Sequence, residues 1–287
     1  MSRILVTGAR GLLGAELLPH LSGLGHEVVS HANRPGVQVA GDLSDAGIAR
    51  ELIENISPDV IINLAALTNV DECERNPQRA FLANVRLVEN LASAIGAQQS
   101  RAWLVQISTD QVYDGAGIHT EDDVTLTNYY GFSKYAGELA AARVPATILR
   151  TNFFGRSQSA GRHSLSDWLF DSLSREKPIT VFDDVFFSPV SLGLLASLIA
   201  VAVEKCVPGT YNLGSRAGMS KAQFALELAR VLDLPTGSVT VGSSASAQLV
   251  AYRPKDMRMD PTRFERAFGV VLPTLEEEIT SMRRAYV

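Results

Sequence analysis

The chain has 287 residues, 46% of them hydrophobic, and a formal net charge of -5. That length and apolar content suit a soluble globular protein with a large core, built as one elaborated domain or two intimate ones. The acidic balance gives no basis for nucleic-acid or anionic-membrane binding, and no apolar run reaches membrane-spanning length or resembles a signal peptide.

Ile4, Leu5 and Val6 form a short apolar run that stops at Thr7. Glycines follow at a spacing of three, Gly8, Gly11 and Gly14, and then Leu12, Leu13, Leu17 and Leu18 recur at helical spacing. This reads as a buried strand feeding a helix through a loop without side-chain bulk, where helix-terminal amides can meet a phosphate. Gly8, Arg10, Gly11, Leu12 and Leu13 are therefore the first candidate dinucleotide contacts, since strand and helix supply the context the glycine pattern needs. A second strand over 26–30 leads to Ala32, Asn33 and Arg34, with no carboxylate to accept from a ribose 2′-hydroxyl. Arg34 and Arg10 favour NADP(H), with NAD(H) as the alternative; the bland reading of both arginines is two solvated loop residues. Asp42 and Leu43 are candidates for the adenine edge. A helix is expected over 46–55 and a strand over 60–62, after which the small residues Ala65 and Ala66 can lie close against the cofactor. Phe81, Val85, Val88, Leu91 and Ile95 mark a helix over 77–96, with Asn84 and Asn90 as structural hydrogen-bonders.

The next strand, 103–107, ends at Ser108, Thr109 and Asp110, on the edge where parallel α/β sheets bind ligands. A helix opens near Asn128 and runs to Arg143. Tyr130 and Lys134 are four apart and share one of its faces; Tyr129 has Ser133 in that position. A further strand over 146–149 ends at Arg150, Thr151 and Asn152. Beyond it the alternation weakens into a Gly/Ser-rich loop over 155–163, a helix over 165–174 and a strand over 179–182. A helix over 192–204 returns to the sheet. A short strand over 209–214, a helix over 221–232, the segment Arg253–Pro254–Lys255–Asp256 and an amphipathic helix over 276–284 complete the chain. Phe153, Phe154, Trp168, Phe186 and Phe187 stack on a base or sugar or fill the core, and His163 is a solvent-exposed loop residue. Cys73 and Cys206 have no metal or redox spacing and fit a reducing, cytoplasmic compartment; five scattered histidines form no HxxxH or HxH pair, so no protein metal site is expected.

Thr109 or Ser108, with Tyr130 and Lys134, make a proton-handling set. A free phenol titrates near ~10, and a neighbouring ammonium favours its ionised form. In the reducing direction Tyr130 donates a proton to a carbonyl oxygen, a hydroxyl from Thr109 or Ser108 bonds that oxygen, and Lys134 also holds the nicotinamide ribose.

The segments TGARGLLG, NLAALTNVDECERNP, ISTDQVYDG, YYGFSKYAGE, LRTNFFG and RPKDMRMD stand in the order found in extended short-chain dehydrogenase/reductases, and the chain resembles that superfamily over most of its length. Within it the sequence most resembles the dTDP-4-dehydrorhamnose reductases. The resemblance implies an α/β fold: a Rossmann-type, doubly wound parallel sheet with a smaller interleaved C-terminal substrate-binding lobe. Residues 1–150 would form the NAD(P)-binding domain, with 188–204 packing back on it and 151–287 mainly the substrate lobe. It implies NADPH-dependent reduction of the 4-keto group of a nucleotide-linked deoxy sugar. Thr109 would be the polarising hydroxyl, Tyr130 the acid and Lys134 its partner. Asn152, Trp168 and Arg253 are the expected substrate contacts, and a homodimer is one expected assembly. The alternatives are a reductase or epimerase acting on another nucleotide sugar or carbonyl, or a non-catalytic NADP-binding partner like the methionine adenosyltransferase regulatory β subunit. Gln111 stands where 4,6-dehydratases carry a glutamate base, and no cysteine flanks Ser108 as in GDP-fucose epimerase–reductases. Leu192 or Gly193 stands where some rhamnose-pathway reductases carry a magnesium-binding glutamate, so the resemblance implies no metal here.

Overall fold

Apolar runs too short for helices become strands, and each glycine- or polar-rich stretch between them turns the chain over a sheet edge. The computed structural model describes residues 1–97 and 102–286. Strand β1 (Arg3–Thr7) passes through the glycine loop into α1 (Leu12–Gly23). Then come β2 (Glu27–Ala32), β3 (Val39–Ala40), α2 (Ala46–Ile56) and β4 (Val60–Asn63). Strand β2 runs two residues past the expected end at position 30 because His31 pairs with Thr7 on one side and Val39 on the other. Helices α3 (Val70–Arg75) and α4 (Pro77–Phe81) precede a π-helical turn, Leu82–Arg86, and α5 (Leu87–Ala97). The single helix expected over 77–96 is thus helical but widened by one π turn, for a reason that emerges at the site. Strand β5 (Trp103–Thr109), α6 (Tyr129–Ala141) and β6 (Ala146–Thr151) follow.

The rest of the chain supplies β7 (Phe153–Phe154), α7 (Leu165–Ser174), β8 (Ile179–Phe182), β9 (Phe186–Phe187), β10 (Val190–Ser191) and α8 (Leu192–Lys205). It continues with β11 (Gly209–Leu213), β12 (Met219–Ser220), α9 (Lys221–Val231), β13 (Val239–Gly242), α10 (Thr262–Phe268) and α11 (Leu275–Ser281). Seven strands form one parallel sheet in the order β11-β6-β5-β4-β1-β2-β3. The order reverses between β1 and β4, which is where a doubly wound sheet opens a crevice at its C-terminal edge.

Alternation along the strands divides the core. Ile4, Val6, Ile62 and Val105 face α1 and α8, whereas Leu5, Ile61 and Leu104 face α2 and α5. Strand β11, read from sequence only as a short strand late in the chain, pairs with β6 and extends the sheet. A separate core gathers Phe154, Phe187, Phe224, Leu228 and Ile279 between α7, α9 and α11. Phe154 and Phe187 meet Phe224 edge-on at 5.0 and 5.3 Å, so these two aromatics are core. Phe153 and Phe186 stay partly exposed. Among the described residues no helix is long and apolar enough to cross a membrane.

A buried ion pair joins the sheet to α6. Arg150 Nη2 lies 2.7 Å from Glu138 Oε2, with both side chains at least 96% shielded. Arg150 also donates to the Tyr113 hydroxyl and the Glu121 carbonyl, both at 2.7 Å. Removing one member strands the other charge out of water. Arg150→Met is therefore expected to lower unfolding free energy by about 3–5 kcal/mol, and Arg150→Met with Glu138→Leu to lose much less. Urea denaturation of the three proteins checks this; a double variant no better than the single one would refute the stranded-charge account.

Candidate active site

At the crevice the loops leaving β1 and β4 touch. Gly8 has φ +68°, and a Cβ there would stand 2.7 Å from the Ala65 nitrogen and 2.8 Å from the Leu64 carbonyl carbon. A buried polar ladder locks the three strand ends beneath: Thr7 Oγ1 donates to Asn63 Oδ1 at 2.5 Å, and Asn63 Nδ2 to Gln106 Oε1 at 2.8 Å. Helix α1 lies tight on its own loop, since a Cβ on Gly14 would be 2.4 Å from the Ala9 carbonyl oxygen. Gly11 caps α1 without a side-chain acceptor, so the first-turn amides face the crevice uncapped. This bare cradle fits the pyrophosphate of a dinucleotide.

The other candidate cofactor contacts fall around it. Leu13 and Leu43 bury their side chains in the core, so both can meet a cofactor only through backbone. Ala65 and Ala66 are partly exposed at the loop after β4. Arg10 is exposed and donates to the Pro35 carbonyl at 3.0 Å, which brings it to the bend that carries the exposed Arg34. Asp42 is exposed, and its carboxylate accepts from the Ser44 amide at 3.0 Å. Ser159, from the Gly/Ser-rich loop, reaches across to donate to the Arg10 carbonyl at 3.0 Å.

Two glycines and a π turn set α6. A Cβ on Gly131 would stand 2.3 Å from the Gln111 carbonyl oxygen, and one on Gly137 2.3 Å from that of Asn84. Asn84 sits in the π turn; its side chain accepts from the Leu67 amide at 2.7 Å and donates to the Leu67 carbonyl and the Ser133 hydroxyl at 3.0 and 2.9 Å. The widened turn thus ties the loop after β4 to α6, a positioning role for Asn84. The Asn128 carboxamide oxygen caps the helix by accepting from the Gly131 amide at 2.8 Å.

On this helix Tyr130 and Lys134 are both buried, and the Tyr130 hydroxyl lies beside the Thr109 hydroxyl. Burial pushes the phenol well above its ordinary value; the neighbouring Thr109 hydroxyl opposes this and the Asp110 charge adds to it. Lys134 Nζ donates to the Ile107 carbonyl at 2.6 Å, and burial lowers its pKa to about 8 against the attraction of Glu138. Of the two hydroxyls left open by the sequence, only Thr109 faces the phenol. Strand β5 runs two residues past its expected end, so Ser108 and Thr109 point to opposite sides. Ser108 donates to Glu138 Oε1 inside the Arg150 pair.

Asp110, only 1% exposed, accepts from Asn152 Nδ2 at 2.6 Å and from Thr109 Oγ1 at 3.2 Å. Burial raises its pKa to about 6, with Asn152, the Lys221 charge and Thr109 opposing. Lys221 escaped the sequence reading; the one local signal was a lysine in the first turn of a helix, the wrong end for a cation. Arg253 pairs with Asp71 at 2.9 Å on a strap that also meets Asn128 through the Tyr252 carbonyl, beside the start of α6. Lys255 is occupied with Asp184 at 2.7 Å. Trp168 is an exposed residue of α7 whose capping box involves Ser164 and Asp167. His163 is exposed, 3.8 Å from Asp171.

The family described as RmlD substrate binding domain matches residues 1–287. A dTDP-4-dehydrorhamnose reductase of Escherichia coli K12 is 30% identical over 97% of this chain and 96% of its own. A probable low-salt glycan biosynthesis reductase of Haloferax volcanii is 28% identical over 98% and 97%. The crystal structure of dTDP-4-dehydrorhamnose reductase from Bacillus anthracis in complex with NADP superposes with a TM-score of 0.88 at 26% identity, covering 98% of both chains.

Asp110 makes stability depend on pH. Its native pKa of about 6 lies above the unfolded value of ~3.9, so between these limits the native state holds a proton that the unfolded chain has released. Stability from this group is full below about pH 4 and falls as pH rises to about 6, by roughly 3 kcal/mol. Asp110→Asn removes that loss, so its stability relative to the parent should rise between pH 4 and pH 7 in urea titrations. A difference that stays flat across that range would show the carboxyl to be unperturbed.

Proposed function

The chain belongs to the RmlD substrate binding domain family, and from that premise we propose that it is an NADPH-dependent reductase of the 4-keto group of a nucleotide-linked deoxy sugar, with dTDP-4-dehydrorhamnose the first substrate to try. The observation that carries the reading is a buried Tyr130 phenol beside the Thr109 hydroxyl, with the buried Lys134 one helical turn along and its ammonium on the Ile107 carbonyl at the same strand end.

The chain's own groups divide the work. The uncapped amides after Gly11 hold the pyrophosphate, with Arg10 and Arg34 on the 2′-phosphate side, which favours NADP(H) over NAD(H). When bound, the reduced nicotinamide supplies the hydride. Tyr130 is the acid: its proton passes to the ketone oxygen as the carbon is reduced. Thr109 bonds the same oxygen, while Lys134 reaches the ribose. Asn152 and Asp110 line the ring side, and Arg253 stands where the substrate's diphosphate would end. Trp168, exposed on α7, is kept as an outer substrate contact. Two free thiols support a cytoplasmic setting. Exposed Phe132 and Leu139, seven apart on α6, support a homodimer.

Following NADPH oxidation with dTDP-4-dehydrorhamnose, with NADH run beside it, tests the reading. Rapid turnover with NADPH and slower turnover with NADH is expected; none, in protein shown by titration to bind NADPH, overturns it. Tyr130→Phe should cut turnover by about 10²–10⁴-fold with NADPH affinity nearly unchanged. Arg34→Asp should shift preference toward NADH, and an equal loss with both cofactors would remove Arg34 from the 2′-phosphate site.

A further inference from the structure

Lys221 opens α9 directly after its capping residue Ser220, so its charge opposes the helix dipole. Its ammonium lies 3.5 Å from the centre of the Phe187 ring, which strips water from one side. Among the described residues no hydrogen bond or ion pair engages Nζ, and burial lowers its pKa to about 8 against the pull of Asp110. A methionine or leucine would cover Phe187 without these costs, so packing alone does not account for a lysine here.

Opposite stands Asp110. Asn152 and Thr109 each take one lone pair of its carboxylate, which leaves acceptor capacity on both oxygens. Lys221 and Asp110 feel one another's charge, yet no ion pair closes within 4.0 Å. Three free protons and an underused carboxylate therefore stand within electrostatic reach without closing on one another. A hydroxyl matches the pair, donating to Asp110 and accepting from Lys221. Asp110 follows Thr109 at the end of β5, whereas Lys221 follows β12, which pairs with the β9 strand carrying Phe187. The pair thus joins the end of the sheet strand that carries Thr109 to the second core.

Resting on the reductase reading above, we propose that Lys221 is a substrate-binding residue: its ammonium and the Asp110 carboxylate grip one ring hydroxyl of the sugar whose ketone stands at Tyr130, and so discriminate against a ring lacking that hydroxyl.

Lys221→Met keeps the length and the contact with Phe187. On the parent keto-sugar nucleotide it is expected to lower kcat/KM by about 10–100-fold, mostly through KM, with NADPH affinity unchanged, as for loss of a hydrogen bond to a charged group. Lys221→Arg should recover part of the loss. The 2-deoxy and 3-deoxy analogues of the same nucleotide sugar complete the test. Wild type should lose a similar factor on one of them, whereas Lys221→Met should treat that analogue and the parent alike within about threefold, inside the scatter of such energies. An unchanged kcat/KM in Lys221→Met, or undiminished discrimination, overturns the inference while wild-type turnover leaves the reductase reading standing. Absence of wild-type turnover sinks both. Should Lys221→Met fail to fold, equal wild-type rates on parent and analogues overturn the inference by themselves.

Discussion

The site depends on one backbone contact, Gly8 against Leu64 and Ala65, where the chain leaves two adjacent strands in opposite directions. No side chain fits between them, and the left-handed φ of Gly8 excludes a β-carbon for a second reason. The buried ladder of Thr7, Asn63 and Gln106 makes that contact rigid: each polar group is satisfied by the next strand's, so no strand end can slide without stranding a donor or acceptor. The crevice is therefore narrow and fixed before any ligand arrives, and the uncapped amides of α1 open directly into it.

The same device recurs on the catalytic side. Helix α6 approaches the chain so closely at Gly131 and Gly137 that only glycine fits, and it meets carbonyl oxygens there rather than side chains. One of those carbonyls belongs to Asn84, in the π turn, whose side chain also reaches the loop after β4. Loop, π turn and α6 are thereby one unit, so the cofactor side of the crevice and the Tyr130 side cannot shift independently. Below, Arg150 and Glu138 anchor the last turn of α6 to β6, and Ser108 is absorbed into that anchor.

What the sequence could convey follows from how local each feature is. The glycine loop, the amphipathic helices and the Tyr130–Lys134 spacing depend on neighbours within a few residues, and the structure places them as read. Strand β11 depends on pairing with β6 some sixty positions earlier, as in Tyr211 opposite Leu149. No local pattern reports that. Choosing between Ser108 and Thr109 required knowing where β5 ends to within one residue, because a one-residue step reverses the face. The π turn and the partners of Asn84 were equally invisible. Lys221 carried only an inverted electrostatic signal, a cation at a helix start, which gains meaning once Asp110 is seen opposite.

The electrostatics of the site also give it a direction. Burial favours the neutral form of every ionisable group, and here it acts on both members of the pair, raising the Tyr130 phenol and lowering the Lys134 ammonium to about 8. The Asp110 carboxylate tightens the phenol's hold on its proton further. A group in that state is an acid in waiting and a poor base. It gives up its proton only when negative charge develops on an oxygen that can compete for it, and Thr109 is placed to share that charge. Stripping a proton from an alcohol would require the opposite, a phenolate stable in the resting site, which needs a positive charge brought close enough to overcome burial. Lys134 does not provide it from where its ammonium is bound, on the Ile107 carbonyl. Proton donation to a carbonyl is thus the chemistry this arrangement favours, and the ring-side charges of Asp110 and Lys221 leave that preference in place.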